Sequence, residues 1–145
     1  MTDLSRLIRP RSIALVGASD RPQSIGERTL TNLLDHSEFD GDIYLVNPTK
    51  AEIRGHRCWP SVASLPATPD VAVIVVPASG VLAVAEECAA RGVLFAIVLT
   101  SGFGEAGEEG ERAQVRLKEI ADAGGMRLYG PNCPGLTNVN HRLGL

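Results

Sequence analysis

The chain has 145 residues, of which 44% are hydrophobic and 21% charged, and its formal net charge is −3. This length suits one domain with its own core, and the composition is that of an ordinary globular protein. The slight acidic balance and the short apolar runs argue against nucleic-acid and membrane partners, so we expect a cytoplasmic protein that binds neither.

Short apolar runs alternate with longer helical patterns along the chain. In order, these patterns predict a strand at residues 12–16, a helix at 25–34, strands at 43–46 and 71–76, a helix at 81–91, a strand at 93–99, a helix at 108–123 and a strand at 126–129. The strands are continuous apolar runs, which is typical of strands buried on both faces of a parallel sheet. Such strands, alternating with helices, are joined by right-handed crossovers. We therefore predict a single α/β domain with a Rossmann-like, doubly wound parallel sheet of about five strands.

Two segments lack this alternation. Residues 49–70 contain three prolines and no long helical pattern, so we expect irregular structure or a short helix there. Residues 137–145 have neither a periodic pattern nor a stop signal. We therefore assign residues 1–136 to the Rossmann-like domain and expect residues 137–145 to begin a linker to a further domain.

The expected ligand site lies at the carboxyl ends of the strands. In open α/β sheets, ligands bind beyond these ends, where the strand order reverses. Segments rich in Gly, Pro, Ser and Asn follow the predicted strands at residues 17–26, 47–50, 77–80, 100–104 and 130–135. Their small side chains allow a ligand to approach the backbone closely.

The first segment joins a strand to a helix. Gly17 permits a sharp turn, and Ser24 and Glu27 match the S-x-x-E capping box of a helix start. Free amides and the positive helix end would then face a phosphate or pyrophosphate. A capped turn without a ligand has the same pattern, so both interpretations stay open for this segment.

The second segment argues against an NAD site. The first turn is not G-x-G-x-x-G, and the second strand does not end in the acidic residue that binds an NAD ribose. Asn47, Pro48 and Lys50 follow that strand instead. A lysine there suits a phosphate, although an isolated surface lysine is most often only solvated.

The third and fourth segments offer groups of other kinds. Pro77 ends the third strand, and Ser79 is the expected N-cap of the next helix. Thr100 and Ser101 can offer hydroxyl and backbone groups to an adenine or a ribose. The carboxylates at positions 105, 108 and 109 complement the dipole of the following helix and argue against a phosphate at that helix.

The last segment, residues 130–135, reads G-P-N-C-P-G and is the most specific string in the chain. Its prolines restrict the backbone on both sides of Asn132 and Cys133. Such rigidity presents a short polar side chain at a defined place. An ordinary structural loop remains the alternative interpretation.

Taken together, these motifs resemble a known family. V-G-A-S, S-I-G, V-N-P-T-K, V-V-P, T-S-G-F-G-E and G-P-N-C-P-G occur in that order. They resemble the CoA-binding domain of the ADP-forming acyl-CoA synthetases, which is similar to the first domain of the succinyl-CoA synthetase α subunit. The resemblance covers essentially the whole chain.

The resemblance implies a set of CoA-binding residues. The CoA diphosphate region would be held by the first turn, Lys50 would lie near the nucleotide phosphates, and Asn132 would lie near the thiol end. The full set that it implies is Gly17, Ala18, Ser19, Ser24, Ile25, Gly26, Asn47, Pro48, Lys50, Val76, Pro77, Thr100, Ser101 and Asn132.

The resemblance also implies what the chain does not carry. In this family, catalysis passes through a phosphohistidine in a downstream domain, and ATP or ADP with Mg is bound by an ATP-grasp part. His36, His56 and His141 match no such motif, so we expect no catalytic residue and no metal ligand in this chain, which alone would be inactive. A non-catalytic CoA-sensing module, stand-alone or fused to an acetyltransferase, is the main alternative, and an NAD-binding oxidoreductase domain is a weaker one.

Overall fold

The computed structural model describes residues 3–145. Helices and strands alternate along most of this range, as the apolar runs predict. The helices are α1 Ser5–Ile8, α2 Ile25–Asp35, α3 Ala78–Ala90 and α4 Glu108–Ala123. The strands are β1 Ser12–Val16, β2 Asp42–Val46, β3 Glu52–Ile53, β4 His56–Trp59, β5 Val71–Ile74, β6 Phe95–Val98, β7 Arg127–Tyr129, β8 Thr137–Asn138 and β9 Leu143–Gly144.

The main sheet has seven strands in the order β3-β4-β2-β1-β5-β6-β7. All neighbours pair in parallel except β3 and β4, which are antiparallel. From β1 the chain first winds outward to β2, and it then returns to β5 on the other side of β1. The strand order therefore reverses between β1 and β5, which is where an open α/β sheet forms its ligand crevice.

Helices cover the sheet on both faces, which confirms the doubly wound fold. One face packs against α3 and α4 through buried residues such as Val81, Ala85 and Leu117. The opposite face packs against α2 through Leu30 and Leu33. The central strands are buried on both faces, in agreement with their continuous apolar sequences.

Residues 49–70, which connect β2 to β5, differ from the expected irregular structure or short helix. Residues 52–59 form a β-hairpin, with Arg54 and Gly55 at its turn in the positive-φ region (φ 53° and 80°). Its second strand, β4, adds to the sheet beside β2 and so extends it beyond the five predicted strands. These two strands, with sequences E-I and H-R-C-W, contain charged and polar residues instead of a continuous apolar run, which is why the sequence pattern missed them.

The C-terminal segment is folded against the domain. β8 and β9 pair as a short hairpin, and Leu143 and Leu145 are buried in the same core as α2, at 3% and 6% exposure. The Asn138 side chain also donates a hydrogen bond to the carbonyl of Ile8, at 2.8 Å. Residues 137–145 thus cover part of a sheet face, while a linker to a further domain stays a prediction.

Within residues 3–145, no helix has both the length and the apolar character needed to cross a bilayer.

Candidate functional site

The carboxyl edge of the sheet brings the expected segments together. The amides of Gly17 and Ala18 donate to the carbonyl of Val46 at the end of β2, at 3.0 and 3.2 Å. On the other side, the amide of Val75 donates to Val16 and that of Leu99 to Ile74, at 2.9 and 3.1 Å. The loops after β1, β2, β5 and β6 are therefore neighbours along one edge.

The first turn packs tightly against the start of α2. Gly17 has φ +98°, and a Cβ atom there would contact the backbone of Val76 at 3.0 Å. A Cβ atom on Gly26 would overlap the carbonyl oxygen of Gly17, so both positions require glycine. This close approach places the amino end of α2 directly behind the turn, as a phosphate-binding turn needs.

The capping box is confirmed in one of its two halves. Ser24 is the N-cap of α2, and its hydroxyl accepts a hydrogen bond from the amide of Glu27 at 3.1 Å. The Glu27 carboxylate accepts instead from the Thr31 hydroxyl at 3.0 Å. Ile25 begins the helix with half of its side chain exposed, so an apolar group is available beside the turn.

Asn47 joins the loop after β2 (residues 47–50, the second loop) to the loop after β1 (residues 17–26, the first loop). Its Nδ2 donates to the carbonyl of Ala18 at 2.9 Å, and its Oδ1 accepts from the amides of Thr49 and Lys50, both at 2.9 Å. The side chain therefore determines the path of the backbone that carries Lys50. The family resemblance implies Asn47 as one of the CoA-binding residues, but this positioning role appears only in the structure.

Lys50 forms an ion pair with a residue that sequence reasoning did not select. Its Nζ lies 2.5 and 2.6 Å from the two carboxylate oxygens of Asp20, in the first loop. The hydrogen bond from Lys50 holds the pKa of Asp20 below its ordinary value. Asp20 directly follows the G-A-S motif, but a partner 30 residues away cannot be identified from sequence spacing.

The Thr100 hydroxyl, which we expected to face an adenine or a ribose, bonds to the protein backbone instead. It is buried, and its hydroxyl donates to the carbonyl of Val76 at 2.6 Å, so that proton is not available to an adenine or a ribose. Its carbonyl accepts from the amide of Asn132 at 3.0 Å. Thr100 therefore connects the ends of β5 and β6 and the loop after β7. Ser101, the next residue, is exposed and remains accessible.

The loop after β6 is closed by one of its own carboxylates. Glu105 Oε1 accepts from the amides of Gly102 and Phe103, at 2.5 and 3.3 Å, and these bonds lower the pKa of Glu105. Phe103 is buried beneath the loop. The two amides thus already have an anionic partner within the loop.

The start of α3 also differs from the expected pattern. The helix begins at Ala78 with Pro77 as its N-cap, so the prediction of Ser79 as the N-cap is wrong. The proline fixes its own φ and starts the helix without a side-chain hydrogen bond.

The loop of residues 130–135 presents Asn132 to solvent. Asn132 is exposed and adopts a left-handed backbone conformation with φ 53°. Cys133 turns inward, and its thiol donates to the carbonyl of Val98 at 3.3 Å. The amide of Asn132 is also bound by Thr100, so this loop is attached to the end of β6 through its backbone and its cysteine.

The three histidines lie apart from this edge. His36 is the C-cap of α2, His56 begins β4, and His141 lies in the turn between β8 and β9. All three are exposed.

Comparison with known proteins adds to this geometry. A family model described as a CoA binding domain matches residues 11–138. The chain is 43% identical over 142 residues to "Trans-feruloyl-CoA synthase FCS1" from an unknown prokaryotic organism, which covers 98% of this chain and 20% of that protein. It is 40% identical over 140 residues to "Acetate--CoA ligase [ADP-forming] II subunit alpha" of Pyrococcus furiosus, covering 97% of this chain and 30% of that protein.

A solved structure is similar to the whole described fold. It is the dinucleotide-forming acetyl-coenzyme A synthetase 1 of Ca. Korarchaeum cryptofilum, in complex with phosphate and ADP, with a TM-score of 0.91 and 46% identity. The match covers 99% of this chain and 30% of that one. The chain therefore spans between a fifth and a third of the length of these relatives. The resemblance drawn from the motifs is confirmed.

Proposed function

This chain belongs to the CoA-binding domain family, and from that membership we propose that it holds CoA for an ADP-forming acyl-CoA synthetase. The observation that carries the proposal is the convergence of small-residue loops and Lys50 at the edge where the strand order reverses. Clefts at such positions bind nucleotides because helix ends and free amides face them. CoA is a nucleotide that carries three phosphate groups, so a turn backed by a helix start and a nearby lysine suits it.

The phosphate end of CoA lies, in this proposal, between the first and second loops. Gly17, Ala18 and Ser19 form a turn of small residues in front of the start of α2, from Ser24 to Gly26. The amides of Gly17 and Ala18 are bonded to Val46, so these two residues shape the turn and do not donate to the phosphate. Lys50 reaches the same region from the second loop, on a backbone that Asn47 holds. The half-exposed side chain of Ile25 offers an apolar contact to the part of the ligand beside the turn.

The remainder of CoA lies along the edge towards β7. Pro48 borders the second loop, Val76 and Pro77 border the adenine or the pantetheine, and Ser101 offers its exposed hydroxyl. Thr100 contributes by positioning Val76 and Asn132 rather than by direct contact through its hydroxyl. Asn132 orients the thiol end, where the acyl group is exchanged.

The chemistry beyond CoA binding belongs, in this proposal, to further parts of a longer cytoplasmic protein. A phosphohistidine domain and an ATP-grasp part with ATP or ADP and Mg would supply it. The residues of this chain bind and orient CoA, and its three histidines lie away from the loops that do so. We therefore expect this chain alone to bind CoA without turnover.

Calorimetry on the 145-residue chain tests the proposal. We expect CoA to bind more tightly than NAD, because β2 does not end in the acidic residue that would hold an NAD ribose and Lys50 follows it instead. Tighter binding of NAD than of CoA would contradict the proposal and return the chain to the oxidoreductase class. In a longer protein carrying this domain, CoA binding without any acyl-CoA synthesis would favour the sensing module.

A further inference from the structure

The ion pair between Asp20 and Lys50 crosses the region proposed for the CoA phosphates. Both carboxylate oxygens of Asp20 contact the same Nζ, at 2.5 and 2.6 Å. Each backbone is itself held in place: Asn47 Oδ1 accepts from the Lys50 amide at 2.9 Å, and Ser19 Oγ accepts from the Arg21 amide at 3.0 Å. The pair is therefore supported from the first loop and from the second.

Stability does not explain why this pair is present. The two side chains are 45% and 47% exposed, and exposed ion pairs contribute little to folding because water and salt screen them. The pair does, however, place the negatively charged carboxylate of Asp20 beside the Lys50 ammonium group, which a phosphate would need as its own partner. A phosphate and a carboxylate that approach one Nζ repel each other, so only one of them can take the lysine at full strength.

We infer that Asp20 competes with a CoA phosphate for Lys50 and thereby limits the affinity of the site for CoA. The inference rests on the proposed function, because it requires CoA at this edge. CoA is both taken up and released as acyl-CoA in a synthetase. Binding that is equally tight in every state does not accelerate the chemical step, so a moderate affinity is compatible with turnover.

Asp20→Asn tests this inference and has a matched control in the same chain. Asp35 pairs with Arg54 Nη2 at 2.8 and 2.9 Å with similar exposure, but it lies at the carboxyl end of α2, away from the turn. By calorimetry, we expect Asp20→Asn to bind CoA about fivefold more tightly and Asp35→Asn to change CoA affinity by less than about twofold. In a Lys50→Ala background, Asp20→Asn should no longer produce this gain, because no ammonium remains to be released.

Three results would overturn the inference. The first is an Asp20→Asn variant that melts like the wild type and binds CoA no more tightly. The second is an equal gain in CoA affinity from Asp20→Asn in the wild type and in the Lys50→Ala background, which would indicate a general charge effect. The third is a wild-type chain that does not bind CoA at all, which would overturn the proposed function as well and is thus distinguishable from the first two.

Discussion

Asn47, Thr100 and Lys50 show how single residues build the proposed site. Asn47 holds the backbone of the second loop against the first, and Thr100 joins the ends of two strands to the loop that carries Asn132. Both act through other residues. Lys50 differs because its charged group is itself the proposed ligand contact, and it is half-exposed at the edge of the sheet.

Replacing Lys50 by alanine should weaken CoA binding without unfolding the chain. A charge-assisted contact to a phosphate is worth about 1–3 kcal/mol, and we expect a loss of that size by calorimetry. With dephospho-CoA the loss should be much smaller if the partner of Lys50 is the 3′-phosphate. Lys118→Ala is the control, because Lys118 pairs with Asp122 on the exposed side of α4. Equal affinities for Lys50→Ala and the wild type would make Lys50 an ordinary solvated lysine.

At the scale of elements, the C-terminal hairpin takes the place that a helix usually has in a doubly wound fold. Its buried leucines pack on the face that α2 covers only in part. The backbone of Leu145 exchanges two hydrogen bonds with that of Leu136, at 2.8 and 3.0 Å, so the end of the chain is attached to the segment after the Asn132 loop. Removing this packing should therefore affect the whole domain.

Leu143→Ala should lower the free energy of unfolding by about 2–5 kcal/mol, the usual cost of truncating a buried leucine. The matched control is Val139→Ala in the same hairpin, since Val139 is 81% exposed and its truncation leaves no cavity. Urea unfolding followed by circular dichroism would measure both. Equal stability of the two variants would mean that residues 137–145 do not pack on the domain in solution.

A second contact between secondary-structure elements joins the residues just before β1 and β5. Asp70 is buried and accepts hydrogen bonds from the backbone amide of Arg11 at 2.9 Å and from its guanidinium at 3.2 Å. Burial alone would raise the pKa of Asp70, but the hydrogen bonds from Arg11 outweigh it and hold the pKa below its ordinary value. The ionised carboxylate is thus favoured in the folded chain.

This depressed pKa gives a pH dependence of known sign. Because the folded-state pKa is below the unfolded one, Asp70 stabilises the fold fully above its ordinary pKa of about 3.9, and this contribution is lost as the pH falls through the folded value. Asp70→Asn should cost about 1–3 kcal/mol at neutral pH and should reduce the loss of stability on acidification. The exposed Asp40 at the same edge of the sheet provides the control, Asp40→Asn. Parallel curves of unfolding free energy against pH for the wild type and Asp70→Asn would show that Asp70 has no such role.

At the scale of the whole molecule, the sequence predicts apolar strands and amphipathic helices well. It predicts poorly which polar strands pair and which distant side chains come into contact. β1 and α4 begin and end at the predicted residues, because continuous apolar runs and amphipathic helices carry their own signal. The hairpin at residues 52–59 has no continuous apolar run and so gives no such signal. The Asp20–Lys50 pair and the hydroxyl contact of Thr100 depend on which strand ends become neighbours, and that is determined only by the sheet order.

In this account CoA binds at the carboxyl edge of the sheet. A nuclear magnetic resonance titration of the ¹⁵N-labelled chain with CoA tests this binding site most directly. The opposite edge is an internal control, because Arg6, Arg9 and Arg11 line a concavity of about 550 Å³ there that could also attract an anion. We expect the largest amide shifts in the loops at residues 17–26, 47–50 and 100–104, with the amides of Arg9 and Arg11 unchanged. Shifts concentrated at Arg9 and Arg11, or no shifts in these loops at saturating CoA, would contradict the claim.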